Sequence, residues 1–483
     1  MNDFRTAGHS AVDLLADYLG GLADRPVWQA MDPGARERLL GLPLPQHGRG
    51  LDELVAEIGS EVLPFPMGNG HPRFFGWVNA APAPAGVLAT LAAAAMNPSS
   101  AGGDHADVHL ERTVVRWIAE LAGFPHPPGA GLLTSGASMA TIVALGSARN
   151  RAARLLGIDV REQGVAGLPP LVGYVSTETH SCVRKAVELL GLGSRNLRPV
   201  ATDATGHLDP VALRGQIKAD RAAGQVPFLA VASAGTVNSG AVDDLDAIAD
   251  VCAEEGLWLH VDGAYGAFGV LDPVVAHRYA GLDRADSLAL DPHKWLSVPV
   301  DCGCVLVRDP AELRGTFSLV PSYLRDENAG GLGWFSEYGI EQTRPFRSLK
   351  VWATIAASGR EGIARDVAHC TAMARRLGEL VDAEGDLELL APVETSITAF
   401  RYAPGGVAEA LLEQVNRALP VAVQERGRAF VTGTVLAGHE ALRACLINPR
   451  VAEEDLAVLV EEVRTAGAEL LAGLGGGTGL SGS

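Results

Sequence analysis

The sequence predicts an α/β fold with a mainly parallel β-sheet that carries helices on both faces. Between about residues 100 and 310, short runs of strand-forming residues alternate with longer segments of helical periodicity. Such alternation is typical of parallel strands joined by crossover helices. The predicted strands are residues 171–175, 228–232, 257–261, 287–290 and 303–307, and the predicted helices are 107–122, 138–156, 180–190 and 244–255.

Two helices are predicted ahead of this region. Residues 4–24 have helical spacing, with one apolar face formed by Ala11, Leu14, Leu15, Tyr18 and Leu19. A Pro- and Gly-rich connection then runs to about residue 50 and leads to a second helix over residues 51–62. Because this segment has little room for a core of its own, we expect it to pack on another body, such as a second subunit.

The apolar stretch from Ala81 to Met96 is the strongest hydrophobic signal near the N-terminus. It carries two prolines and is shorter than a membrane span. We expect a buried helix there. The first residues lack the apolar core of a secretory signal.

A smaller α+β lobe is predicted after about residue 355. Its helices are expected at 363–384, 407–418 and from 453 onward, and its strands at 395–402, 430–436 and 442–447. The predicted organisation is an N-terminal helical segment (1–80) exchanged between subunits, a large α/β domain (81–355), a small α+β domain (356–470) and a disordered tail (471–483), because the chain ends in a Gly-rich stretch.

The composition favours a soluble enzyme. The chain has 483 residues, 47% of them hydrophobic, and a formal net charge of −18. That charge argues against nucleic acid or an anionic membrane surface as a partner. None of the six cysteines has zinc-site spacing, so we predict no metal and a reducing, cytoplasmic location.

The most informative pair of residues is Lys294 and Asp262. Lys294 follows a histidine just after the predicted strand 287–290, and Asp262 ends the apolar run 257–261. Pyridoxal phosphate (PLP) needs a lysine that holds its aldehyde and a carboxylate that keeps its ring nitrogen protonated. Taken alone, a lysine near a strand end is usually exposed and an aspartate there is usually a turn former or cap. Together they predict a PLP site.

Three further segments follow strand runs or open helices. Thr134–Thr141 is rich in small residues and could bind a phosphate through free N–H groups and Ser138, although an ordinary helix cap is at least as good an explanation. His180 could stack on a cofactor ring, but a polar residue at a helix start is the simpler reading. Thr236 could contact the cofactor or substrate, or only order its Gly-rich loop.

These residues resemble the group II PLP-dependent decarboxylases, the family of aromatic L-amino acid, histidine and glutamate decarboxylases. The resemblance runs from about Asp3 to Val463. Its most specific parts are His71–Phe75, His260–Ala264, Asp291–Trp295 and Phe346–Trp352. The resemblance implies a type I PLP fold with a mainly parallel, seven-stranded type of sheet. It also implies a homodimer with active sites at the subunit interface.

The resemblance implies a role for each site residue. Lys294 is expected to form the Schiff base and Asp262 to pair with the pyridine nitrogen. Ala264 and His180 are expected to sandwich the ring, and Ala137, Ser138 and His293 to hold the phosphate. Thr236 matches a cofactor-site threonine, and Tyr323, in a segment that matches a mobile loop of the family, matches a tyrosine that protonates the substrate carbanion. The substrate pocket is expected to include Trp77, Val78, Asn79 and Ser99.

The chain also departs from the family pattern. Family members often have Asn where this chain has Asp291, and a carboxylate beside a phosphate is repulsive unless screened, so no phosphate contact is assigned to Asp291. A glycine that often reaches the neighbouring subunit's phosphate is Thr343 here. Of the expected pocket residues only Trp77 is aromatic, which favours a pocket that is more polar or roomier than one for indole or catechol.

The predicted function is PLP-dependent decarboxylation of an L-amino acid to the amine and CO2, with aromatic amino acids among the candidate substrates. One alternative is a related enzyme with an altered outcome, either oxidative conversion to an aldehyde or a tailoring step in a biosynthetic pathway. A second alternative is a PLP-binding scaffold protein. The joint presence of Lys294, Asp262, His180 and Tyr323 argues against the scaffold.

Overall fold

The computed structural model describes residues 2–203, 205–319 and 333–476. The chain divides into two compact units. The small unit consists of Met1–Ala81, Arg375–Leu390 and Thr398–Ser483, and the large unit consists of Pro82–Ala374 and Ala391–Ile397.

The N-terminal part of the small unit contains three helices. They are α1 (Asn2–Gly20), α2 (Pro33–Leu40) and α3 (Leu51–Glu57), and a π-helical turn over Ile58–Val62 follows α3. The prediction of an irregular connection between the first helix and residue 50 was wrong in part, because helix α2 lies in that segment. Asp32 caps it by accepting the Ala35 N–H at 2.8 Å, and Pro33 occupies its first turn. Only Ala35 of this helix is buried, so α2 has no apolar periodicity to reveal it.

A seven-stranded sheet forms the centre of the large unit. Its strands are β1 (Gly131–Thr134), β2 (Leu171–Ser176), β3 (Leu197–Val200), β4 (Val226–Ser233), β5 (Trp258–Asp262), β6 (Ser287–Leu290) and β7 (Gly303–Val307), in the order β1-β7-β6-β5-β4-β2-β3. Strand β7 is antiparallel to both neighbours, and the other pairings are parallel. Six strands therefore run in one direction. The predicted mainly parallel sheet is confirmed.

Helices accompany this sheet, and five of its strands, β1, β2, β5, β6 and β7, are buried along their whole length. The regular helices are α4 (Pro84–Met96), α5 (Ala106–Ala122), α6 (Ala137–Leu155), α7 (Val160–Gln163), α8 (Ser181–Leu189), α9 (Pro210–Ala222), α10 (Leu245–Glu255), α11 (Pro310–Phe317) and α12 (Arg347–Ala383). Helix α12 is interrupted at Gly359, where φ is 64°. Every residue of β2 and β5 is buried, as expected for strands that are covered on both faces.

Helix α4 does not match the prediction of a buried helix. Leu88, Leu91 and Met96 are 61%, 55% and 58% exposed, and only Gly86 and Ala89 are buried. The helix is apolar on every side, but this chain covers it on one side only, next to Pro299 and Thr354. Among the helices of the described residues, none has the length and apolarity that crossing a membrane requires.

The rest of the small unit is an antiparallel sheet with helices. The strands are β8 (Leu387–Leu389), β9 (Ile397–Tyr402), β10 (Thr432–Leu436) and β11 (His439–Cys445), in the order β10-β11-β9-β8, and the helices are α13 (Glu409–Glu425) and α14 (Glu453–Gly476). The prediction of a disordered tail from residue 471 was wrong at its start, because residues 471–476 belong to helix α14. The Ala-, Leu- and Glu-rich sequence before the glycines favours helix, which continues into them. Residues 477–483 lie outside the described residues.

A buried ion pair joins distant parts of the large unit. The guanidinium of Arg344 is 2.6 Å from Glu111 of α5, and the two side chains are 1% and 0% exposed. Arg344 also donates to the backbone carbonyls of Ser100 and Leu133, and Glu111 accepts the Leu133 N–H at 3.0 Å. The pair therefore connects strand β1, helix α5 and the segment before α5.

Replacing Glu111 by Gln should strongly destabilise the large unit. Arg344 would remain buried without its counter-charge, and removal of one partner of a buried pair typically costs about 3–5 kcal/mol. Urea unfolding followed by tryptophan fluorescence measures this. The matched control is Arg184→Gln, which removes an exposed pair with Glu188 (68% and 45% exposed) and should cost less than about 1 kcal/mol. Equal losses in the two variants would contradict the role of the buried pair.

Candidate active site

The predicted site residues of the large unit follow strands whose carboxyl ends share one edge of the sheet. Asp262 is the last residue of β5, and Lys294 lies four residues after the end of β6. His180 follows β2, and Thr236 follows β4. Parallel strands of this kind carry ligand sites at their carboxyl edge.

Lys294 is held by a carboxylate that comes from the same turn. Its Nζ is 3.1 Å from Oδ2 of Asp291, and Asp291 is only 4% exposed. The other oxygen of Asp291 accepts the N–H of Ala137 at 2.6 Å. Asp291 therefore links Lys294 to the first residue of helix α6, where the helix dipole favours a negative charge.

Asp262 is a buried carboxylate that can accept a further hydrogen bond. Its Oδ1 accepts the Ala264 N–H at 3.1 Å, and its Oδ2 is 3.8 Å from Sγ of Cys182. Burial and the nearby Asp262 raise the pKa of the Cys182 thiol to about 12, so the sulfur keeps its proton and donates it weakly. Among the described residues, no lysine or arginine forms an ion pair with Asp262. A cationic N–H group would complete its bonding.

His180 lies beside Asp262 at the start of helix α8. The ligand atoms of His180, Cys182 and Asp262 all lie within 4.8 Å of one another, and His180 Nδ1 accepts the Cys182 N–H at 3.3 Å. The residue keeps an exposed edge, but partial desolvation of the ring lowers its pKa, with Lys294 acting in the same direction and Asp262 opposing it. His180 is therefore a neutral imidazole at pH 7, a form that can stack on a flat ring.

The expected phosphate end lies at the start of helix α6. Strand β7 comes so close that a Cβ on Gly303 would lie 2.4 Å from the carbonyl carbon of Gly136, so only glycine fits there. Ser138 is exposed at this helix start. His293 accepts the Cys302 N–H through Nδ1 at 3.1 Å, its Nε2 is 3.7 Å from Asp291, and burial lowers its pKa.

Two expected cofactor residues have internal roles, of which sequence reasoning considered only the one of Thr236 in its Gly-rich loop. Thr236 is 2% exposed, and its Oγ1 accepts the Ala241 N–H at 3.1 Å and lies 3.0 Å from Oγ of Ser239. These bonds order the Gly-rich loop. Ala264 is buried next to Asp262, and its carbonyl accepts the Asp291 N–H at 3.2 Å, which connects the β5 and β6 turns.

The expected substrate residues are divided between the units. Trp77, Val78 and Asn79 belong to the small unit, where the Trp77 ring centroid is 5.3 Å from that of Phe430. Ser99 belongs to the large unit and lines a cavity beside helix α5. Tyr323 lies outside the described residues.

Sequence reasoning missed Cys182, the partner role of Asp291, and Arg344. Cys182 lies two residues after His180, on the first turn of α8. Its place at this helix start could have identified it as a neighbour of Asp262. Asp291 was considered only as a neighbour of the phosphate. Arg344 gave no signal, because its partner Glu111 is 233 residues away in the chain.

These residues fit PLP. Lys294 provides a primary amine for an aldehyde, and the buried carboxylate of Asp262 provides a site for a protonated ring nitrogen. The neutral ring of His180 and the small side chain of Ala264 lie next to that carboxylate. The start of helix α6 offers N–H groups and the Ser138 hydroxyl to a phosphate.

The chain belongs to the pyridoxal-dependent decarboxylase family, whose conserved domain matches residues 33–403. It is 33% identical over 473 residues to the aromatic-L-amino-acid decarboxylase of Bacillus atrophaeus, an alignment that covers 97% of this chain and 96% of that protein. The crystal structure of Oryza sativa TDC with PLP and tryptamine is similar, with 30% identity, a TM-score of 0.89 and coverage of 98% and 99% of the two chains. The structure of Rhodiola rosea 4-hydroxyphenylacetaldehyde synthase has 26% identity, a TM-score of 0.85 and the same coverage.

These similarities confirm the predicted family, fold, enzyme class and cofactor. The protein is a PLP-dependent carboxy-lyase that acts on amino acids. They do not test the individual site residues, so the roles assigned to those residues stay predictions.

Borohydride reduction of the yellow enzyme should fix the pyridoxyl group on Lys294. Peptide mapping checks this, and Lys350 is an internal comparison, since it is buried and pairs with Asp301 at 3.7 Å. The Lys294→Ala variant should lose the label and the imine absorbance. A label on Lys350, or none with cofactor present, would refute the assignment.

Asp262→Asn should keep the fold and bound cofactor but lose nearly all turnover. The amide can still accept the Ala264 N–H, but it has no charge to hold a proton on a ring nitrogen. Steady-state CO2 release and cofactor absorbance are measured on the same sample. Turnover close to that of the parent enzyme, with PLP bound, would show that the charge of Asp262 is not required.

Proposed function

We propose that the enzyme removes the α-carboxylate of an L-amino acid as CO2 and releases the corresponding amine. The observation that carries this proposal is that one edge of the sheet has both an accessible lysine, Lys294, and a buried carboxylate, Asp262. Among the described residues, Asp262 has no cationic partner. The family membership supports the same chemistry. That the product is the amine rather than the aldehyde is the more specific part of this proposal.

Each residue of the large unit would have a separate task. PLP, when bound, supplies the electron sink that makes loss of the carboxylate feasible. Asp262 would hold a proton at the ring nitrogen by its charge. His180, as a neutral imidazole, would cover one face of the ring, and Ala264 would leave room on the other. Ser138 and His293 would contact the phosphate.

Asp291 would act on the lysine rather than on the phosphate. Its carboxylate is 3.1 Å from Nζ of Lys294 and accepts the N–H of Ala137, so both of its oxygens are already bonded. A cation and a helix N-terminus screen its charge. That screening would reduce the repulsion between the Asp291 carboxylate and a bound phosphate. It also means that Ala137 shares its N–H with Asp291.

Tyr323 would deliver the proton to Cα that completes the amine. The chain retains this tyrosine, whereas relatives that make aldehydes often have phenylalanine there. Both outcomes occur among similar proteins, since the Rhodiola rosea structure is an aldehyde synthase and the Oryza sativa structure contains tryptamine. His180 is the alternative donor, because its ring lies beside Asp262.

The test measures CO2, amine, aldehyde, ammonia and peroxide for the common L-amino acids, diaminobutyrate and dihydroxyphenylalanine. The parent enzyme should give amine. Tyr323→Phe should still release CO2 but shift the product toward aldehyde, because the carbanion is denied its proton and becomes open to oxygen. Tyr338→Phe is the matched control, a buried tyrosine outside the site. Clean amine from Tyr323→Phe at the parent rate would exclude Tyr323 as the donor and leave His180 as the leading candidate.

The enzyme is also proposed to act as a homodimer in the cytoplasm. Leu88 and Leu91 of α4 expose an apolar face, and Phe4 of α1 is 58% exposed. Apolar faces of this kind mark protein interfaces. All six cysteines are free and buried, which suits a reducing compartment.

Trp77, Val78, Asn79 and Ser99 are proposed substrate contacts.

Charges on helix α4 should dissociate the dimer. The variant Leu88→Glu/Leu91→Glu places two carboxylates on the exposed face, and their desolvation opposes association. Sedimentation velocity should give two chains for the parent and one for the variant. Leu189→Glu is the control, since Leu189 is 71% exposed on helix α8. An active monomeric parent would contradict the proposal.

A further inference from the structure

A cavity of about 230 Å³ lies at the amino end of strand β1 in the large unit. Gly131, the first residue of β1, lines it. Strands β1 and β6 are both antiparallel to β7 and therefore run in the same direction. The cavity is thus at the opposite edge of the sheet from the residues that follow the carboxyl ends of the strands, such as Asp262 and Lys294.

Most of the wall of this cavity is apolar. The apolar side chains belong to Val115, Pro127, Pro128, Ala130 and Phe335. Sites for drug-sized ligands usually have volumes of about 300–1,000 Å³, so this smaller cavity suits a compact ligand. An apolar body the size of one aromatic ring matches both the walls and the volume.

Arg112 adds a positive charge to the apolar wall. Its guanidinium carbon is 5.1 Å from the ring centroid of the buried Phe335, and its Nη2 donates to the carbonyl of Gly333 at 2.8 Å. Within the described parts of the chain, this is the one hydrogen bond of the side chain, and no carboxylate forms an ion pair with it. Desolvation lowers the pKa of Arg112, with Tyr338 and Glu111 opposing the shift. An anion in the cavity would compensate the desolvated charge.

Arg149 is a second half-buried arginine without an ion pair among the described residues, and it is bonded differently. Its Nε and Nη2 donate to Oδ1 of Asn150, and its Nη1 donates to the carbonyl of Leu190. The protein therefore bonds all three nitrogens of Arg149 but only one nitrogen of Arg112. Arg112 keeps N–H donors that a ligand can use.

The other charges beside the cavity compensate one another. Arg116 and His126 line it, and both lie near Glu120, at 3.6 and 3.7 Å. With histidine counted as neutral, the charge that remains is the one positive charge of Arg112. A carboxylate matches this charge as a monoanion and forms strong, charge-assisted hydrogen bonds with a guanidinium. An amine, such as the product of the proposed decarboxylation, has the wrong sign.

We propose that this cavity binds a monocarboxylic acid with a compact aromatic body. The carboxylate would accept hydrogen bonds from Arg112, and the ring would contact the apolar wall formed by Val115 and Ala130. The site is separate from the candidate active site, so this ligand would bind the enzyme without displacing PLP or the amino acid.

Isothermal titration of the PLP-loaded enzyme with 3-phenylpropionate tests the site. The neutral amide 3-phenylpropanamide and the cation phenethylamine should bind at least about tenfold more weakly, because each lacks the charge-assisted hydrogen bonds. Arg112→Gln should weaken binding of the acid by a similar factor. Pro127→Asp keeps Arg112 but adds a negative charge on an exposed wall residue, and it should also weaken binding. This second variant carries the test if Arg112→Gln does not fold.

Arg149→Gln is the matched control, since it removes a half-buried guanidinium outside the cavity and should leave the affinity for the acid unchanged. Equal affinity of the parent and Arg112→Gln overturns the inference, as does equal affinity for the acid and its amide, or no binding of the acid. Binding that persists in Arg112→Gln and is lost in Lys294→Ala would place the acid in the active site and also overturn it. CO2 release tests the proposed function separately and does not depend on these titrations.

Discussion

The buried pair of Arg344 and Glu111 is the constraint on which the geometry of the large unit depends. Two charges that are 1% and 0% exposed tolerate little displacement, since each loses its hydration and depends on the other. The same guanidinium bonds carbonyls of Ser100 and Leu133. Strand β1, helix α5 and the segment before α5 are therefore connected by one side chain.

The carboxyl edge of the sheet places two carboxylates near one lysine and gives them different tasks. Asp291 is bonded to Lys294 and to the N-terminus of helix α6, so its charge is compensated by the protein. Among the described residues, the carboxylate of Asp262 bonds only the Ala264 N–H and, weakly, a protonated thiol, so its charge remains for a ligand. The chain thus contains one carboxylate whose charge the protein compensates and another whose charge is left for a ligand, a difference that burial and hydrogen bonding produce.

The sequence predicted the parallel sheet because its strands leave local signals, and the candidate cofactor residues were proposed from their positions relative to those strands. Every residue of strands β2 and β5 is buried, Asp262 is the last residue of β5, and Lys294 lies four residues after the end of β6. Strand β3 and helix α9 were missed, since β3 is only partly buried and α9 has few buried residues. The pairing of Arg344 with Glu111 spans 233 residues, and the exposed side of α4 depends on what covers it, so neither could be found from local patterns.

The residues expected to contact the cofactor and those expected to contact the substrate lie on different kinds of structure. The residues expected to hold PLP follow strands of the sheet, whereas Ser99 lies in the connection between helices α4 and α5. The structures of Oryza sativa TDC and Rhodiola rosea 4-hydroxyphenylacetaldehyde synthase superimpose on this chain with TM-scores of 0.89 and 0.85, although one contains tryptamine and the other is an aldehyde synthase. Since the shared fold does not separate these proteins, the substrate has to be identified from individual side chains.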